Sequence, residues 1–316
     1  MQKQFDISYF RALPKSDLHN HCLLGGKRAV VEKHFGRKLA AFKANQPGIE
    51  DLNRWIGKVY RPFFELPGAF EKGVEAAFIQ AKTDGVIKLE MSIDVSFGLL
   101  YQIPAKKVVD TLKHYHRSIA PEIDFRPELG FSRSKSLRSL LRCFDPYLEC
   151  HYFESIDLYD DESAQPVANF RELFRFARNQ GMKCKAHAGE FGSADSVKEA
   201  VETLELDAVQ HGIGAANSPS VMKWLADNNI QLNVCPTSNI KLKRVRSYKT
   251  HPIRILFDHG VKVTVNTDDA LVFGDGVSEQ LLKLFRARVF TTGELEIIMK
   301  NGLEPTHPVR VVKIIK

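Results

Sequence analysis

The chain has 316 residues, 44% of them hydrophobic and 26% charged, and its 45 Lys and Arg against 38 Asp and Glu leave a formal charge of +7. These are the proportions of an ordinary soluble globular protein, long enough for one large core without a disulfide frame or a structural metal. The charge is modest for the length, so nucleic acid is not an expected partner, although phosphorylated small molecules stay open.

The opening "MQKQFDISYF" carries no apolar h-region, so no signal peptide is expected, and no apolar run approaches the length of a membrane span. The first strand-like run is "KSDLHNH" (15–21). From about 27 to 81 the patterns are helical with no clear strand. They read as a helical insertion within one domain covering 1–316, with "YRPFFELP" (60–67) a candidate lid over a site.

Further strand-like runs are "VIKLEMSI" (86–93), "IDFRPELGF" (123–131), "FESIDLY" (153–159) and "KCKAHAG" (183–189). They continue with "DAVQHG" (207–212), "IQLNVC" (230–235) and "VKVTVNT" (261–267). The third is the weakest, because Pro127 has no N–H to give to a ladder. Between them, Phe170, Leu173, Phe174 and Ala177 recur at helical spacing, as do Val197, Ala200, Val201 and Leu204. Ser218 and Pro219 read as N-cap and first helical position, and Ser278 as the cap of "EQLLKLFRAR". Strands alternating with helices imply parallel pairing, and eight of them predict a (β/α)8 barrel, with a doubly wound open sheet as the alternative.

Barrels carry their chemistry at the C-terminal ends of strands. The first run ends in "HNH", and residues two apart on a strand share a side, so His19 and His21 could present two imidazoles to one metal. "AHAGE" puts His187 at a strand end and Glu190 past Gly189, where the chain can turn back over the barrel mouth. "QHG" adds His211, and "NTDDA" adds Asp268 and Asp269, one expected to point inward and the other to the rim. Each has a plain structural reading alone, as a turn, a cap or a hydrogen-bonded strand end. Together they place His or Asp/Glu at four strand ends of one face. Histidine and carboxylate suit zinc or a similar divalent ion. His19, His21, His187 and Asp268 are assigned as ligands, Glu190 and His211 to proton transfer, and Asp269 to the substrate.

The pieces "LPKSDLHNH", "GVIKLEMS", "SIDLYDDE", "KAHAGEFGSADSVKEAV", "QHGIG", "NVCPTSN" and "VNTDDALVF" occur in the order of the adenosine deaminase family of metal-dependent hydrolases, which the chain resembles over roughly 15 to 275. Nothing matches the PCxxC signature of the other zinc deaminase class. The resemblance implies one zinc ion on His19, His21, His187 and Asp268. It implies Glu190 as the acid that protonates a purine ring nitrogen, His211 as the residue that orients and deprotonates the attacking water, and Asp269 as partner of another purine nitrogen.

Two departures concern the substrate. The family's L-D-G after HxH holds the ribose hydroxyl through its Asp, where this chain has Leu24; a family Gly in "DLAGDE" offers its N–H to the purine, where this chain has Asp160. Ala270 also stands where Pro is usual. Leu24 and Asp160 are therefore taken as substrate-facing positions that alter sugar and purine recognition. The basic run "KLKRVRSYK" after "CPTSN" reads as a solvated strand or loop face, with a phosphate contact as the sharper alternative.

The expectation is a zinc-dependent hydrolytic deaminase of an adenine-like base, nucleoside or derivative. The rivals are a hydrolase of the same superfamily acting on another bond, and an inactive basic nucleotide- or nucleic-acid-binding barrel. Five cysteines, odd in number and without CxxC, point to a reduced compartment, and a cytoplasmic protein is expected.

Overall fold

In the computed structural model, residues 5–304 are described. The C-terminal run "HPVRVVKIIK", whose pattern suits a strand or a helix, lies outside the described residues. The strands are β1 (Lys15–Asp17), β2 (Val86–Asp94), β3 (Asp124–Ser132), β4 (Ser155–Tyr159), β5 (Lys183–Ala188), β6 (Ala208–His211), β7 (Gln231–Val234) and β8 (Lys262–Val265). They form one sheet in the order of the sequence, with every neighbouring pair parallel. Helices cover the outside, as parallel crossovers require, and the chain is a nearly closed (β/α)8 barrel.

The seam between β8 and β1 closes mostly through side chains. Leu18 N donates to Asn266 Oδ1 at 2.8 Å, Thr267 N to Asp17 Oδ1 at 3.0 Å, and Asp268 N to the carbonyl of His19 at 2.8 Å. β1 is therefore shorter than its apolar pattern implies. Its ladder ends at Asp17, and Asn20 and His21 make single bridges to Asp268, just past β8, and to Ser92 in β2.

Pro127 sits inside β3 without breaking it. Its carbonyl accepts Glu154 N at 2.9 Å, one residue before the β3–β4 pairing starts at Glu128 and Ser155, so the missing N–H faces a stretch with no ladder.

Ser218 caps its helix as expected, with Oγ accepting Val221 N at 3.4 Å and Pro219 at the first position. Ser278 does not cap. The helix Val277–Arg286 starts after Gly276, whose N–H goes to Glu279 Oε2 at 2.9 Å. Ser278 is instead buried against Asp84, its N–H on the carboxylate and its Oγ on the carbonyl.

The stretch expected as a helical insertion, 27–81, holds the helices Arg28–Phe35, Glu50–Trp55, Ile56–Tyr60 and Arg61–Phe64 and most of Ala69–Thr83, and no strand. Tyr60 is buried and its hydroxyl donates to the carbonyl of Leu23 at 2.6 Å, which ties this segment to the loop after β1. Among the described residues no helix is long and apolar enough to cross a membrane.

Candidate active site

At the C-terminal ends of the strands lies a cavity of about 340 Å³. Its inner end is formed by His21, His187, Glu190, His211, Asp268 and Asp269, and its outer wall by Leu24, Ile49, Leu52, Asn53, Ile56, Phe64 and Phe97. The span 60–67 thus supplies only part of that wall, which starts earlier in the insertion.

His19 Nε2 lies 3.0 Å from His187 Nε2 and 3.6 Å from Asp268 Oδ1, and His21 Nε2 lies 3.3 Å from the same oxygen. The donor atoms of His19, His21 and His187 all fall within 4.8 Å of one another. The other nitrogens of His19 and His187 are occupied. His187 Nδ1 faces Asp157 Oδ1 at 3.3 Å, and His19 Nδ1 faces the carbonyl of Asn233 at 3.3 Å. Both oxygens are acceptors, and Cys235 Sγ also lies 3.3 Å from His19 Nδ1; a ring that donates from Nδ1 to its oxygen keeps a lone pair on Nε2. Two lone pairs 3.0 Å apart repel unless a cation lies between them.

The electrostatics agree. Burial works against charge on His21, yet Asp268, Asp269 and Asp157 overcome it and push the ring up to about 10. Burial opposes charge on Asp268 too, but His21, His19 and His211 hold it well below the carboxylate range. A pocket of this sign favours a cation, and three imidazoles with one carboxylate are a donor set that zinc accepts.

Around this cluster, His211 Nε2 is 3.4 Å from Glu190 Oε2 and 3.9 Å from Asp268 Oδ2. Burial, reinforced by Asp268 and Glu162, raises Glu190 well above the usual Glu range. Burial lowers His211 to about 3 despite Asp268. Asp269, buried beside Asp268, is raised to about 7, and its Oδ1 has no hydrogen-bond partner among the described residues.

His211 (φ +63°) and Asp268 (φ +61°) adopt the left-handed conformation, which costs of order 1–3 kcal/mol at a non-glycine residue. That turn at Asp268 corrects the expectation that Asp268 and Asp269 point opposite ways: both carboxylates face the cavity. Gly189, at φ +72°, makes the turn that brings Glu190 over the mouth; a Cβ there would lie 2.3 Å from Val197 Cγ2.

Leu24 lies in the short turn Cys22–Leu24 and lines the cavity. Asp160 lines it as well, at φ +85°, a conformation that suits the glycine of the family pattern. Its carboxylate is engaged: Oδ2 accepts Ser132 Oγ at 2.6 Å, and Oδ1 accepts Asp161 N at 2.9 Å and Asn53 Nδ2 at 3.4 Å.

The basic run 241–249 is not a strand. It follows from the helix Pro236–Lys241 into a loop, where Lys243 Nζ donates to the carbonyl of Asn45 at 2.6 Å and Arg244 Nε to that of Glu190 at 3.0 Å.

Sequence reasoning missed several supporting groups. Asp157 holds His187. Asp17 holds the seam beside His19. Glu162 accepts the N–H groups of Gly189, Glu190 and Phe191 at 2.7, 2.7 and 2.9 Å, so one carboxylate sets the whole turn that carries Glu190. The only sequence signals for these were buried-looking acids such as the Asp within "SIDLY" and the last residue of "DDE".

The sequence model of the family described as adenosine deaminase matches residues 76–308. A putative adenosine/adenine deaminase of Treponema pallidum (strain Nichols) is 33% identical over 297 residues, covering 93% of this chain and 98% of the relative. An adenine deaminase of Rhodopseudomonas palustris (strain BisB18) is 40% identical over 316 residues, covering 94% and 90%. The crystal structure of an adenine deaminase from Arthrobacter aurescens superposes with a TM-score of 0.81 at 23% identity, covering 92% of this chain and 93% of the other. With the strand-end constellation, these matches make the chain a member of the adenosine deaminase family.

Proposed function

We propose that this protein hydrolyses the exocyclic amine of an adenine-like base, nucleoside or derivative and releases ammonia, using one zinc ion held by His19, His21, His187 and Asp268. As a member of its family it is a hydrolase of C–N bonds. The observation that carries the metal assignment is the approach of His19 Nε2 to His187 Nε2 at 3.0 Å, beside a carboxylate. A divalent cation, when bound, supplies Lewis acidity that brings the pKa of water to about 7.

The chain's own groups account for the rest. An aromatic carbon resists attack unless the neighbouring ring nitrogen is protonated. Glu190, kept neutral by burial, is the acid for that nitrogen. Asp269 meets another purine nitrogen with its unpartnered oxygen. His211 and Asp268 face the attacking water, their Nε2 and Oδ2 3.9 Å apart. The insertion 27–81, part of a single domain, is read as the lid: its apolar residues close the outer wall and exclude water.

The experiment is an ammonia-release screen of zinc-loaded protein on adenine, adenosine, adenine nucleotides, other aminopurines and pterins. Turnover of at least one 6-aminopurine is expected. Release of another leaving group with no ammonia from any member would favour a different hydrolysis. Salt-dependent binding of nucleic acid without turnover would favour a binding barrel.

Leu24 is expected to screen the sugar, because it cannot accept a hydroxyl hydrogen bond. Leu24→Asp supplies a charged acceptor, for which about 1.5–3 kcal/mol is typical. It should raise kcat/KM on adenosine roughly tenfold or more relative to adenine. An unchanged adenosine-to-adenine ratio would remove Leu24 from substrate recognition.

A further inference from the structure

Behind the site runs a chain of buried hydrogen bonds whose direction is set by a backbone amide. Ile253 N donates to His251 Nδ1 at 3.1 Å. A neutral His251 must then carry its proton on Nε2, which faces Asn239 Oδ1 at 3.3 Å. His251 is neutral, since burial lowers it to about 3. The Asn239 amide cannot flip, because its NH2 would then meet the His251 N–H. Its nitrogen is thereby aimed at two groups of the site, Glu190 Oε1 at 3.3 Å and His211 Nδ1 at 3.2 Å. Asn239 is fully buried and His251 nearly so.

We propose that His251 and Asn239 are positioning residues: a one-way relay from the Ile253 amide that fixes which atom of Glu190 and which atom of His211 carries a proton. The carbonyl oxygen is the stronger acceptor of a carboxylic acid, so with Oε1 on the Asn239 N–H a protonated Glu190 carries its proton on Oε2. A ring whose Nδ1 accepts carries its proton on Nε2. Both atoms face the reaction side, 3.4 Å apart. Neutral His211 then holds the attacking water by donating to its oxygen, and in that tautomer it does not take the water's proton. One amide thus aims the proton donor and the water-holding ring together, which neither residue could set alone. The inference rests on the proposed deamination for its kinetic arm but not for its spectroscopic one.

The test uses full-length, zinc-loaded protein labelled with 15N-histidine. Two-bond proton–nitrogen couplings distinguish the two tautomers of a neutral ring. In the wild type, His211 and His251 are both expected as Nε2–H. His251→Leu removes the donor to Asn239, and outer-shell losses of this kind typically cost roughly 10–100-fold. The expected result is a kcat lower by that factor with KM within about twofold and zinc content unchanged. His251→Gln can accept from Ile253 with its carbonyl and donate to Asn239 with its amide, so it should recover most of kcat. An Nδ1–H tautomer for wild-type His211 would overturn the relay, and so would wild-type kcat in folded, zinc-loaded His251→Leu. If His251→Leu fails to fold, the wild-type spectrum and the glutamine variant still decide. If no aminopurine is turned over, the deaminase reading falls, while the tautomer measurement continues to judge the relay.

Discussion

Replacing His19 with alanine is expected to abolish metal binding and turnover together. The site then keeps three of its four proposed donors, but His187 Nε2 loses the counterpart that faces it at 3.0 Å. Wild-type protein should carry about one zinc per chain, as a single tetrahedral set implies, and the variant far less. Metal assistance contributes several kcal/mol to such hydrolyses, and each 1.36 kcal/mol is a factor of about ten, so turnover should fall by roughly three orders of magnitude or more. Stability provides an independent reading. A ligand at about 1,000 times its Kd stabilises the native state by about 4 kcal/mol. A chelator should therefore lower the wild-type melting midpoint by several degrees and leave that of His19→Ala almost unmoved. Metal content by emission spectroscopy and melting curves with and without chelator make the check. Wild-type zinc content and turnover in the variant would end the coordination assignment. Retained zinc with lost turnover would move His19 from coordination to chemistry.

The parts of this site that sequence reading reached share one property: they are chemically conspicuous residues at the ends of apolar runs. His187 follows "KCKA", His211 follows "DAVQ", and Asp268 and Asp269 follow "VKVTVNT", so barrel geometry alone predicts a common face. What stayed hidden depends on partners that no local pattern announces. Glu162 looks like the end of a polar turn until the fold brings three N–H groups from residues 189–191 to its carboxylate. His251 and Asn239 have no periodicity that marks them. They matter because a loop returns to pack one against the other. The alternation rule also failed at a particular place. It holds for extended backbone, and Asp268 leaves extended backbone at φ +61°. Leu24 and Asp160 were legible as departures only because a family pattern existed to depart from. The engagement of Asp160 by Ser132 and Asn53 required coordinates.

Glu190→Gln should separate chemistry from binding. Glu190 is buried, and burial reinforced by Asp268 and Glu162 raises its carboxyl well above the ordinary value of 4.5, which favours the uncharged acid. Glutamine has the same shape and no charge, and its carbonyl can still accept from Asn239, which lies 3.3 Å from Oε1. The metal cluster and substrate affinity should therefore survive. What disappears is a proton the group can give away, and general acid catalysis is worth typically 10²–10⁴-fold. Expected is a kcat lower by roughly that factor, with zinc content and KM near wild type. The stability effect has the opposite sign. A carboxyl whose folded-state pKa is raised keeps its proton in the native state after the unfolded chain has lost it, so it destabilises the fold increasingly as pH rises above about 4.5. The glutamine variant is free of that penalty. In metal-free protein the two should unfold alike in acid, and the variant should become the more stable as pH rises toward neutrality. Urea unfolding at a series of pH values, beside steady-state ammonia release, measures both. Wild-type kcat in Glu190→Gln would take the acid role away from this residue, and a variant less stable than wild type at neutral pH would show that Glu190 is ionised in the resting fold.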